Sequence, residues 1–163
     1  MSIKLYQKKR KFGVTPEPKG SAKAKGTNRF VVHKHQARNL HYDFRLELPD
    51  SIDRGPVVLK SWAVPKGVPT VPAVKHLAVA VEDHPVSYIN FKGIIPPGNY
   101  GAGRVEIWDQ GRFQLLEHGK NFLKIRLQGK RLKGNYVLTK FGKGAKNWLV
   151  FKTKKSSSKE VKK

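Results

Sequence analysis

No dozen consecutive residues of this chain hold an apolar repeat near 3.6, and 15 glycines and 10 prolines interrupt it at short intervals. A helix long enough to organise a domain needs a sustained period over an unbroken run, so helical architectures are excluded. Short strands remain. β-Branched and aromatic runs fall at 29–35, 41–48, 57–64, 76–83, 104–109, 112–116, 122–127, 134–141 and 147–152, bounded by "PDS", "DQG", "EHG", "LQG" and "FGKG" turns. Without helical crossovers these predict an all-β fold, an antiparallel β-barrel of about eight strands. Closure is favoured because it hides edges that would otherwise pair with other chains.

Charge divides the chain. Of 34 Lys/Arg and 11 Asp/Glu, residues 1–25 and 152–163 hold 14 and 2, about half of the net +23. The layout expected is a basic N-terminal arm (1–28), extended over "GVTPEPKGSAKAKGTN", a barrel (29–152) and a disordered basic tail (153–163). A basic body with basic ends is the electrostatic footprint of a nucleic-acid binder; no amphipathic basic helix supports a membrane surface instead. No disulfide is possible without cysteine, and neither a signal-peptide h-region nor a bilayer-length apolar run is present. A cytoplasmic monomer is expected.

Within the strands, "HLAVAVED" sets bulky Leu77, Val79 and Val81 against small Ala78 and Ala80, as beside a cavity or a close neighbour. Trp62, Trp108, Trp148, Tyr136 and Phe151 are expected in the core. The stretch "VVHKHQARNLHYDFRLEL" (31–48) is harder to place. Alternation puts His41, Asp43, Arg45 and Glu47 on one face of its second strand and Tyr42, Phe44, Leu46 and Leu48 on the other. A hairpin closing symmetrically through "QARNL" sets His35 opposite His41 and His33 opposite Asp43. Cross-strand Cβ atoms lie roughly 5 Å apart. His35, His41 and Asp43 can therefore share one ion of the Zn, Mn or Fe kind, beside an Arg45 able to clamp a phosphate. A metal-free hairpin of partnered histidines is the other reading of the same spacing.

Other chemistries lack support. No Gly-x-Ser-x-Gly elbow is present, and "GNYGAG" has neither the lysine nor the following helix of a phosphate-binding P-loop, so it reads as a turn. Glu82 and Asp83, adjacent in a strand, point to opposite faces and make no catalytic pair. His118 reads as a surface turn residue.

The segments "KRKFGVTPEP" (9–18), "FVVHKHQARNLHYDFRLEL" (30–48), "SWAVPKG" (61–67), "HLAVAVEDHPVSY" (76–88) and "GIIPPGNYGAG" (93–103) resemble, in the same order, the 3′-phosphoesterase domain of bacterial DNA ligase D and its stand-alone relatives. The resemblance implies a β-barrel and a manganese-dependent enzyme, with Zn2+ or Co2+ as other possible ions. Such an enzyme heals DNA 3′ ends in break repair by end joining: as a phosphodiesterase it removes a terminal ribonucleoside, then as a phosphomonoesterase the 3′-phosphate. It implies His35, His41 and Asp43 as metal ligands, Arg45 on the scissile phosphate, and His84 and Tyr88 completing the anion site. His84 has two candidate roles, protonating the departing O3′ or donating a hydrogen bond to the phosphate. Arg10 and Glu17 of the arm match positions that fold over the site in that family.

Two positions depart from the family pattern. Lys11 stands where an acidic residue is usual, and His76 stands at a phosphate-contacting arginine position, where an imidazole is mostly neutral at pH 7. His33 replaces a common glutamine. The partners implied are DNA primer-templates ending in a 3′-ribonucleotide or 3′-phosphate, with a separate ligase and a break-binding protein. The alternative function is a non-catalytic nucleic-acid-binding barrel whose histidine face is structural.

Overall fold

Alternating side chains carry the architecture. The computed structural model describes residues 3–10, 12, 17 and 28–154. Its strands are β1 (Arg29–Gln36), β2 (Leu40–Pro49), β3 (Val57–Val64), β4 (Lys75–His84), β5 (Gly93–Ile95), β6 (Gly103–Gly119), β7 (Phe122–Gln128), β8 (Lys133–Lys140) and β9 (Asn147–Lys152). All pair antiparallel in the order β1-β2-β3-β4-β9-β8-β7-β6, and β6 pairs back onto β1, which closes an eight-stranded barrel. Strand β5 takes the stretch of β6 from Gly103 to Val105, beyond the part that pairs with β7.

Every second residue fills the interior. Phe30, Val32, Phe44, Leu46, Trp62, Ile125, Leu138 and Val150 are buried there, each side chain contributing on the order of 1.5–3 kcal/mol. Ala78 and Ala80 also turn inward, and their cross-strand partners are Trp148 and Trp62, whose rings meet edge to face at 5.6 Å. The small face of "HLAVAVED" thus makes room for two indoles, and bulky Leu77 faces out. Phe151 departs from expectation. Buried Val150 points into the barrel, so Phe151 points away from it and is only half-buried.

Three further expectations are corrected. The expected break at "DQG" is absent, because β6 runs continuously from Gly103 to Gly119. Gly111 permits close approach rather than a turn: a Cβ there would collide with the Gln128 carbonyl. His118 lies within β6, opposite Leu123, where Nε2 meets Asp53 at 3.1 Å. A short helix, α1 (Ile3–Lys9), occupies part of the expected arm. Seven residues are too few to show a period or to hold a helix alone; Tyr6, fully buried, ties it to the barrel. Lys11, residues 18–27 and 155–163 lie outside the described residues, so the expectations for Lys11 and most of the tail do too.

A second apolar cluster places the site. Val31, Leu59 and Val105, on the outer surface of β1, β3 and β6, pack with Tyr6, with Tyr88 and Ile89 of a 3-10 turn (Val86–Asn90), and with Phe91 and Ile95. The outer wall of β1 to β3 is therefore covered like a core. Among the described residues no helix is long and apolar enough to cross a membrane.

Candidate metal centre and anion cavity

The hairpin register is the symmetric one, with His35 opposite His41 and His33 opposite Asp43. All four side chains project onto the covered outer wall, because Tyr42 and Phe44 between them belong to the core. His35 Nδ1 and His41 Nε2 approach the two oxygens of Asp43 at 3.4 and 3.3 Å. One ligand atom from each of the three lies within 4.8 Å of the others.

The remote ring nitrogens fix the chemistry. His35 Nε2 lies 2.7 Å from the Gly101 carbonyl, and His41 Nδ1 lies 3.1 Å from that of Asn39. A carbonyl only accepts, so each ring places a proton on its remote nitrogen and turns its other nitrogen toward Asp43. In neutral rings those nitrogens present two lone pairs to a carboxylate, a donor set that needs a cation between its members. The residues thus fit a divalent ion with nitrogen and oxygen ligands. In the protein alone a proton does this work: the hydrogen bond to Asp43 raises the His41 pKa despite burial. Burial opposes the Asp43 charge, but Arg45 and the hydrogen bonds from both histidines hold its carboxyl well below the usual range.

Arg45 is buried beside this group. Its Nη2 lies 3.4 Å from Asp43, Nε donates to His33 Nδ1 at 3.1 Å, and Nη1 donates to Ser61 Oγ at 2.9 Å. The guanidinium also rests 5.0 Å from the Tyr88 ring centre. His84 reaches the same wall through a bulge. Leu59 and Ser61 are two residues apart on β3, but their partners on β4, His84 and Val81, are three apart. The extra residue returns His84 to the Asp43 side and brings Glu82 with it. Glu82 and Asp83 diverge as expected, Glu82 bonding Arg10 at 3.0 Å and Asp83 bonding Lys60 at 3.1 Å.

Residues from the arm close the cavity. Arg10 donates to Glu17 at 2.8 Å and to Glu82 at 3.0 Å, and its Nη2 sits 3.2 Å from His84 Nε2. Tyr88 donates its hydroxyl to Glu17 Oε2 at 2.8 Å. Arg10, Glu17, His35, His41, Asp43, Arg45, His84 and Tyr88 thereby line one cavity of about 310 Å3. His76 is not among its lining residues: it faces the inner side of β4 opposite Val150, and Nδ1 lies 2.6 Å from the Gly67 carbonyl. Sequence reasoning did not single out Ser61, the site role of Glu82, or Tyr100 and Gly101 of the "GNYGAG" turn. No local signal marks them, since a bulge and a loop placed against another strand are tertiary features.

Burial, with Arg45 and Arg10 nearby, pushes the His84 pKa well below its ordinary value. Burial first, then Arg45, lowers His33 to about 3. Below its ordinary pKa of 6.5, His33 takes a proton in the unfolded chain and not in the fold, so its contribution is complete above pH 6.5 and lost as pH falls toward 3. Stability should fall by up to about 1.4 kcal/mol per pH unit for this residue in that window. His33→Gln, whose amide oxygen can still accept from Arg45, should flatten that slope in denaturant titrations between pH 7.5 and 5. An unchanged slope would show that His33 is not the group responsible.

The sequence profile of the DNA Ligase D 3′-phosphoesterase domain matches residues 33–140. The multifunctional non-homologous end joining protein LigD of Pseudomonas aeruginosa is 43% identical over 166 residues, covering 96% of this chain and 19% of that protein. LigD of Mycobacterium tuberculosis is 39% identical, over 96% of the chain and 20% of the relative; LigD of Mycolicibacterium smegmatis is 40% identical, over 93% and 20%. The chain spans about a fifth of the length of these relatives.

Proposed function

Because the chain belongs to the DNA ligase D 3′-phosphoesterase family, we propose that it processes DNA 3′ ends for end joining. In this reading it removes a terminal ribonucleoside as a phosphodiesterase and then the 3′-phosphate as a phosphomonoesterase, in the cytoplasm, leaving an end that a separate ligase can seal. The observation that carries the reading is the convergence of His35, His41 and Asp43 beside Arg45 at one buried anion cavity.

A divalent ion held by the three ligands, manganese in the family, would neutralise a phosphate oxygen and lower the pKa of a bound water. The chain's own residues do the rest. Arg45, fixed by Ser61 and His33, presents its guanidinium to a second phosphate oxygen. His84 Nδ1 lies 3.0 Å from the Glu82 carbonyl and 3.3 Å from Arg45 Nη1, and Nε2 lies 3.2 Å from Arg10 Nη2. With two guanidiniums opposing proton uptake, His84 acts as a positioning group for Arg10 rather than as the acid for O3′. Tyr88 likewise holds Glu17, and contacts phosphate when that carboxylate yields.

Manganese-supplemented incubation with end-labelled primer-templates, one ending in a 3′-phosphate and one in a ribonucleotide, tests the proposal. Metal-dependent conversion of both to a 3′-OH is expected. No conversion over several divalent ions by a folded, DNA-binding protein would favour the non-catalytic barrel. Binding should weaken steeply with salt, and removal of residues 153–163, which hold five lysines, should lower the log–log salt slope by about 0.9 for each lysine that meets a duplex phosphate. An unchanged slope would show that those lysines do not contact the backbone.

A further inference from the structure

The barrel wall away from the cavity is built unlike an ordinary solvent face. The outward positions of β4, β9, β8 and β7 form cross-strand rows. One runs Lys75, Phe151, Val137, Lys124, and the next runs Leu77, Leu149, Thr139, Phe122. Two phenylalanines therefore sit half-buried on the outside of a closed barrel, where polar residues would be expected. Each has an ammonium over its ring: Lys75 Nζ lies 5.2 Å from the Phe151 centre, and Lys124 Nζ lies 5.9 Å from that of Phe122. Phe122 is laid on Gly119, where a Cβ would collide with the ring.

Arg126 and Lys133 also point outward on this wall, on the same parity as Lys124 and Val137. Glu82, in the β4 bulge, stands at the cavity, and the other described outward positions of these four strands hold no Asp or Glu. On the adjoining β6, Glu117 stands opposite Lys124 and pairs with it at 3.4 Å. The wall is also continuous with the site, because Asp43, Ala63, Val79 and Asn147 form one row across β2, β3, β4 and β9. Three strand spacings, roughly 14 Å, separate Asp43 from Asn147 of β9 along that row. Roughly four stacked nucleotides at 3.4 Å each cover that distance.

We propose that the outward face of β4, β9, β8 and β7 binds unpaired nucleotides, with Phe151 and Phe122 as stacking platforms and Lys75 and Lys124 as phosphate contacts. Flat aromatic faces between cations suit single strands, since every base has a π-face and a paired base hides it. A duplex would leave the rings unused. The inference rests on the end-processing reading only for the source of the strand, the single-stranded template extension beyond the 3′ end.

Fluorescence anisotropy in EDTA, where binding is read without hydrolysis, compares a blunt duplex with the same duplex carrying a template extension. Phe122→Leu/Phe151→Leu should weaken binding of the extended DNA by roughly tenfold, leave the blunt duplex unchanged, and leave kcat at saturating DNA unchanged. Lys75→Glu/Lys124→Glu should lower the salt slope for the extended DNA by about 1.4 at about 0.7 per contact. Matching thermal melts establish that the variants fold, and the lysine pair decides if the phenylalanine pair does not. Unchanged affinity for the extended DNA, or an equal loss on the blunt duplex, overturns the proposal. Selective loss by a protein that hydrolyses no end would sink the enzymatic reading and leave this one standing. Normal hydrolysis with no selective loss would do the reverse.

Discussion

On the end-processing proposal, His41→Ala is expected to abolish hydrolysis of both 3′ ends, by on the order of 10^3-fold or more, and to leave duplex affinity within about twofold. The size follows from the several kcal/mol of transition-state charge stabilisation that a Lewis acid supplies, at 1.4 kcal/mol per tenfold. The selectivity follows from placement. His41 is half-buried at the hairpin end, its ring bonds Asn39 and Asp43 among the described residues, and affinity for a polyanion is expected from lysines and arginines spread over the chain. Initial rates in manganese and anisotropy in EDTA separate the two quantities. Parallel loss of both, in a protein that still melts cooperatively, would mean that the histidine face serves binding and that the barrel is not an enzyme.

Arg45→Ala produces the largest expected loss of stability, about 3–5 kcal/mol, the range for removing one member of a buried ion pair. For a domain of this size that is a fall of roughly 6–20 °C in melting temperature at 2–4 °C per kcal/mol. Asp43 depends on Arg45 for compensation, and His33 and Ser61 lose their donor at once. The physical cause can be checked by a double-mutant cycle. Adding Asp43→Asn to Arg45→Ala should recover part of the loss, because the uncompensated charge is gone. Manganese should raise the melting temperature of Arg45→Ala more than that of the parent, and should do nothing for the double variant. Strict additivity of the two substitutions would show that Asp43 and Arg45 do not support one another.

The hairpin was legible because its information is local. Alternation and a symmetric loop place His35 opposite His41 without knowledge of any other strand. The barrel was legible for a similar reason: eight short strands without crossovers have few ways to hide their edges. What escaped depends on contacts between distant segments. The bulge that returns His84 to the Asp43 side is one extra residue, and the "HLAVAVED" alternation conceals it. The continuity of β6 through Gly111 is set by the Gln128 backbone, and Asp109, read as part of a turn, instead accepts from the backbone N–H groups of Lys130, Arg131 and Leu132. Phe151 has the composition of a core residue and the parity of a surface one, and only the register separates the two.

Placing the reactive group on the outside of the barrel gives the hairpin strands two interleaved jobs. In residues 41–48 the even positions, Tyr42, Phe44, Leu46 and Leu48, answer to volume, and of the odd ones His41, Asp43 and Arg45 line the cavity while Glu47 pairs with Arg29. Drift at the even positions can trade one apolar shape for another without reaching the ligands, and the odd positions can be retuned without disturbing the interior. Deleting a single residue between Leu40 and Pro49 would exchange the two sets, turning carboxylate and imidazole toward the indoles and phenyl rings toward the cavity. Substitution in one set therefore leaves the facing of the other intact, whereas any change of length upsets both.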